Sequence, residues 1–147
     1  MAESTTDWRE LLGDYQDVEI GPPASEELIA GAEMSLGPLP VLLRDLLQQT
    51  NGLVCRSFCL YPVFDPSRPK KTWESIQRVN DPRTTRALAA DADLLKRFLV
   101  FADIGNGFAA MDRNDGTIWF EEESGSSFDQ IDLDLREFVE VMITNAV

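Results

Sequence analysis

The chain has 147 residues, 44% of them apolar and 27% charged, with a formal net charge of −13 and a pI near 4.2. That length suits a single domain, residues 1–147, burying about 68–70% of its unfolded surface, and the acidity repels phosphate backbones, so nucleic acid is not an expected partner. Histidine is absent, which excludes Ser-His-Asp and Cys-His catalysis and every zinc site built on imidazole.

The opening "MAESTTDWRE" lacks the basic and apolar regions of a secretory signal, so a cytoplasmic protein is expected. Asp7 and Glu10 form a capping-box pattern before Trp8, Leu11, Leu12 and Tyr15, which recur at helical spacing. A second helix follows Pro22-Pro23: Ser25 can cap it, Glu26 and Glu27 sit in its first turn, Leu28, Ile29, Ala32 and Leu36 share a face, and Gly37-Pro38 ends it. Pro40 suits the first position of a third helix with apolar residues Leu42, Leu43, Leu46 and Leu47, closed by Asn51-Gly52. The second and third helices should form a hairpin.

Leu53 to Phe64 is rich in β-branched and aromatic residues and reads as one long strand or two short ones. Were it fully extended, Cys55 and Cys59 would stand roughly 13 Å apart, too far for a disulfide. In the stretch up to Lys96, Thr72 to Val79 could form a short helix, and Asp81-Pro82 could start another carrying Leu88, Leu95 and Phe98, with an irregular connection as the alternative. No apolar run approaches the roughly 18 residues of a membrane span.

"FLVFADIGNGFAAMDRNDGTIWFEEE", Phe98 to Glu123, contains Gly105, Gly107 and Ala110 in the G-x-G-x-x-G/A order of a dinucleotide fingerprint. Such a loop must lead into a helix whose first N–H groups hold the pyrophosphate. Asn114-Asp115-Gly116, a hairpin signal, comes too soon to leave room for one. Phe98 to Ala102, Phe108 to Asp112 and Thr117 to Glu121 are therefore expected as three strands, with Gly105-Asn106-Gly107 as a bend. Asp112, Asn114, Asp115 and Glu123 resemble a calcium loop, but its glycine falls one position early. No metal, and no small-molecule cofactor, is expected.

The last helix is marked by Asp134 and Glu137 as a capping box, by Leu133 and Phe138 as a staple, and by a stripe of Leu135, Phe138, Val139, Met142 and Ile143. The fold class expected from this order is α+β: an antiparallel sheet of about four to six strands, flanked by an N-terminal helical hairpin and a C-terminal helix.

The series Glu33, Leu36-Gly37, Leu39-Pro40, Leu46-Leu47, Asn51-Gly52, Phe101, Gly105, Gly107, Phe108, Met111-Asp112, Gly116 and Phe138-Val139 resembles the SUKH superfamily over about residues 22–143. This is the fold of fungal cell-wall regulators and of many bacterial toxin-immunity proteins. The resemblance implies a non-catalytic binding domain, most often an antidote that sits on a cognate secreted toxin.

Charge is unevenly spread: residues 1–45 carry −8, residues 46–100 carry +4 and residues 101–147 carry −9. Acidic segments of this kind can steer a basic partner such as a nuclease toxin. The expected contacts are Glu121, Glu122, Glu123 and Asp129, with Trp119 as an aromatic anchor; the competing reading places Trp119 in the core, because it alternates with acidic neighbours. Two other functions are weighed beside this one. One is a regulatory interaction module that inhibits nothing. The other is a carboxylate- or metal-dependent hydrolase drawing on Asp103, Asp112, Glu121 and Glu123.

Overall fold

The computed structural model describes residues 6–122 and 127–146. Its N-terminal helices α1 (Trp8–Gly13), α2 (Glu26–Leu36) and α3 (Val41–Gln49) begin and end where local chemistry dictates. Asp7 and Ser25 accept the N–H groups of Glu10 and Leu28, and Gly37, at φ +81°, closes α2 in the left-handed region that glycine enters without cost. The Gln49 side chain joins α1 to α3, accepting from the Trp8 N–H at 2.7 Å and donating to the Thr6 carbonyl at 2.8 Å. Pro40 is the N-cap of α3 and not its first helical residue. The buried stripe of α3 is Leu43, Leu46 and Leu47, so Leu42, expected inside, is exposed.

Among the described residues, one antiparallel sheet holds seven strands in chain order: β1 (Glu19–Ile20), β2 (Leu53–Cys55), β3 (Phe58–Leu60), β4 (Phe98–Asp103), β5 (Gly107–Asp112), β6 (Ile118–Glu122) and β7 (Phe128–Ile131). Two short edge strands, β1 and β7, carry the count past the expected four to six. The apolar stretch after Asn51 is a tight hairpin, turned at Arg56 with φ +56°. Cys55 pairs with Phe58 and Cys59 with Val54, so the two cysteines point to opposite faces of the hairpin. Both are free.

Gly105, at φ +94°, turns β4 into β5. Gly107 begins a strand, with no helix after it, and a Cβ there would run into the Glu121 carbonyl of the neighbouring strand. The glycines are therefore sheet corners. The four-residue loop from Arg113 to Gly116 closes the next hairpin, with the Gly116 N–H donating to the Asp112 carbonyl at 2.8 Å.

A bulge between Val100 and Ala102 lets Phe101 point to the same face of the sheet as Ala102. There the last helix, α6 (Leu135–Asn145), capped by the reciprocal Asp134–Glu137 box, sets Phe138 against Phe58, Phe101 and Phe120, with ring centroids 5.3–5.7 Å apart.

The long β3–β4 connection holds α4 (Ile76–Val79), a turn at Ala87–Ala90 and α5 (Ala92–Arg97). No helix starts at Asp81-Pro82, and Phe98 belongs to β4. Two asparagines stand in for missing strand neighbours. Asn80 accepts from the Val100 N–H and donates to its carbonyl, and Asn51 does the same for Val63. Buried backbone groups must be paired, and each amide side chain supplies both a donor and an acceptor.

Candidate functional site

Along β6 the side chains alternate between the two faces of the sheet. Phe120 packs on Phe138 and so faces α6; its register partner on β7 is Asp129. Trp119 and Glu121 face the other way, with Gln130 and Phe128 as their register partners.

On the α6 side, where β6 ends and α6 reaches its C-terminus, lies a groove of about 660 Å³ lined by Phe58, Ile104, Asn106, Phe120, Glu122, Asp129 and Met142 among others. Glu121 also borders it, and every ionisable residue of its lining is acidic. Apolar side chains form the floor, and Glu122 and Asp129 are exposed. Arg56 stands at the edge, tied to Asp17 at 2.7 Å and to the Ala146 carbonyl at 3.2 Å. An apolar floor with an acidic rim suits a cationic protein surface that brings its own apolar contact.

The structure thus brings together two of the residues singled out from sequence, Glu122 and Asp129, while Glu121 borders the groove and turns its side chain to the other face. Glu123 lies outside the described residues. Trp119 is separated from the groove: it stacks on Phe128 at 5.1 Å, meets Phe98 edge-on at 5.4 Å, and donates its indole N–H to Thr117. The Glu121 carboxylate is occupied on that same face, accepting the Leu88 N–H at 2.8 Å. Ile104, Asn106 and Met142 carried no sequence signal for the groove, because their convergence depends on how α6 crosses the sheet.

Of the carboxylates weighed for hydrolysis, Asp103 and Asp112 do not meet, and Glu123 lies outside the described residues. Asp112 pairs in register with Phe98 and Asp103 with Phe108, at opposite ends of the β4–β5 ladder. Asp112 is buried, bonded to Arg97 at 3.3 Å and to the Asn114 N–H at 2.8 Å, while Asp103 accepts the Gly105 N–H. Among the described residues no three His, Cys, Asp or Glu side chains are grouped to hold a metal ion, and no helix is long and apolar enough to cross a membrane. Burial, reinforced by Asp103 and Glu74, pushes the Cys59 thiol up to about 11, which leaves it protonated and a poor nucleophile near neutral pH.

Compared with known proteins, residues 23–141 match the family described as SMI1 / KNR4 family (SUKH-1). No curated protein matches the chain.

Proposed function

The chain belongs to the SMI1/KNR4 family (SUKH-1), which includes toxin-immunity proteins, and from that premise we propose that it is an immunity protein. It binds a cognate secreted bacterial toxin domain, a basic nuclease, by direct protein–protein contact in the cytoplasm. The observation that supports this reading is the groove beside α6, whose exposed rim of Glu122 and Asp129 carries acidic charge with no base in the lining. A cationic active site docking there would be covered, and long-range attraction would speed the encounter. Such inhibition asks for no catalytic group on this chain.

The test is co-expression with the toxin domain encoded beside its gene. Rescue of growth and co-purification are the expected results, with an association rate that falls as salt rises and falls again in a Glu122→Lys, Asp129→Lys double variant. A chain that neither protects cells nor co-purifies is not that toxin's antidote. A neighbour that co-purifies while its activity is untouched would mark a regulatory module instead.

A further inference from the structure

The same molecule carries a hollow of opposite polarity at the far end of the β5–β6 hairpin. About 550 Å³ in volume, it is lined by Leu36, Pro38, Pro82, Leu95, Lys96 and Arg113 among others, and its ionisable residues are Lys96 and Arg113 alone. In a chain of net charge −13, a lining with two cations and no acid is a local reversal. Nor is the charge neutralised from nearby. The Arg113 guanidinium donates to two backbone carbonyls, Leu36 at 2.7 Å and Leu95 at 3.3 Å, and its Nε has no partner among the described residues. Burial lowers its pKa from the usual 12.5, the direction expected of a cation without a counter-ion.

The surrounding bases differ. Arg97 pairs with Asp112, Arg78 with Glu74 and Arg83 with Asp81, so the uncompensated charge is concentrated at Lys96 and Arg113. A second hollow of about 650 Å³ adjoins the first, sharing Ser35, Leu36, Asn80 and Pro82 with it. Its wall includes Phe64 and Trp73; Trp73 is 56% exposed, with the Arg78 guanidinium 4.9 Å from the ring centroid. Polar groups share this wall with Leu36, Phe64 and Pro82, and its one acid, Asp81, is paired with Arg83; exposed tryptophan and arginine are among the side chains that dominate binding energies at protein interfaces.

We infer that these joined hollows form a second docking site, taking an acidic, partly apolar peptide segment of a partner polypeptide. A carboxylate of that segment lies over Lys96 and Arg113, and an apolar side chain lies against Trp73. Nucleic acid is a poorer match, since the whole-chain charge opposes a phosphate backbone and the lining is largely apolar.

The experiment is selection of a displayed library of random short peptides on the immobilised full chain. Enriched peptides are then titrated in solution and followed by Trp73 fluorescence, with Trp73→Phe as the signal control. Enrichment of Asp or Glu beside apolar residues is expected, with binding weakened about tenfold by Lys96→Glu and unchanged by Glu122→Lys, which alters only the acidic groove. Lys96 is exposed, so its variant keeps the fold where Arg113→Ala would disturb two helix ends. Absence of enrichment, enrichment of basic or uncharged peptides, equal binding by Lys96→Glu, or displacement by an oligonucleotide would each overturn the assignment.

Discussion

The carboxylate of Glu121 on β6 accepts the backbone N–H of Leu88 at 2.8 Å, and Leu88 is the first of three successive non-glycine residues with positive φ. An acidic side chain expected from sequence to meet a partner is thus a fastener for the β3–β4 connection. Replacing Glu121 with alanine removes a charge-assisted hydrogen bond to a buried residue and should cost about 1.5–3 kcal/mol, read from the denaturant midpoint. The Leu88 amide should lose hydrogen-exchange protection at the same time. Glu121→Gln keeps an acceptor oxygen, so it should restore the turn while lacking the charge, and a toxin affinity that drops equally in both variants would assign the charge itself to the interface.

Leu88, Ala89 and Ala90 lie at φ +52° to +54°, a conformation that costs a side chain about 1–2 kcal/mol per residue. Ala89 is exposed, so nothing is lost from packing when it becomes glycine. Ala89→Gly should therefore raise stability by about 0.5–1 kcal/mol, after the extra freedom of glycine in the unfolded chain is deducted. Thermal unfolding measures it. A drop in the midpoint would show that this backbone is ordinary and unstrained.

Asn51 is buried and holds both backbone groups of Val63, at 2.8 and 3.0 Å. Asn51→Ala leaves a buried N–H and a buried carbonyl unpaired, at about 1–3 kcal/mol for each. Asn51→Asp should rescue little, since it keeps the acceptor, loses the donor and buries a charge. Chemical denaturation of both variants checks the ordering.

Gly107→Ala should destabilise the chain by about 1–3 kcal/mol through overpacking, because the new methyl group meets the Glu121 carbonyl across the ladder. Gly13, with nothing near a built Cβ and no positive φ, is the matched control. Unfolding midpoints that fall alike for Gly107→Ala and Gly13→Ala would contradict the close approach of β5 and β6.

Alkaline pH should weaken the fold through Cys59. Its pKa rises from 9.0 to about 11 on folding, so the unfolded chain releases the proton first. The stability tied to the protonated thiol is complete below pH 9 and is lost as pH rises toward about 11. The Tyr61 hydroxyl, raised from 10.0 by burial and by Asp103, adds in the same direction once pH passes 10. Unfolding midpoints followed through this window should fall less steeply in Cys59→Ala, and the folded thiol should react slowly with an alkylating reagent at pH 8.

Several features were legible because their causes are local. The Asp134–Glu137 box, the Ser25 cap, the left-handed Gly37 and the Asn-Asp-Gly turn each act within a few residues, and the same logic separated a sheet corner from a phosphate loop. Leu42 shows where periodicity fell short. Its spacing fits a helical stripe, but α3 turns Leu43, Leu46 and Leu47 inward and leaves Leu42 57% exposed. Only a helix already docked on its neighbours distinguishes the two.

Composition and capping chemistry by themselves determined the α+β class, the three N-terminal helices, the central strands and the C-terminal helix, the corner at Gly105 and Gly107, and an acidic C-terminal third, but neither the edge strands β1 and β7 nor the β3–β4 connection. Tertiary structure alone decided that Trp119 stacks on Phe128 away from the groove, that Glu121 fastens Leu88, and that Lys96 and Arg113 share a hollow without an acid. Caps and turns draw their energy from contacts a few residues apart, which a sequence displays directly. Grooves and charge reversals arise from residues tens of positions apart, meeting only once strands pair and helices cross them.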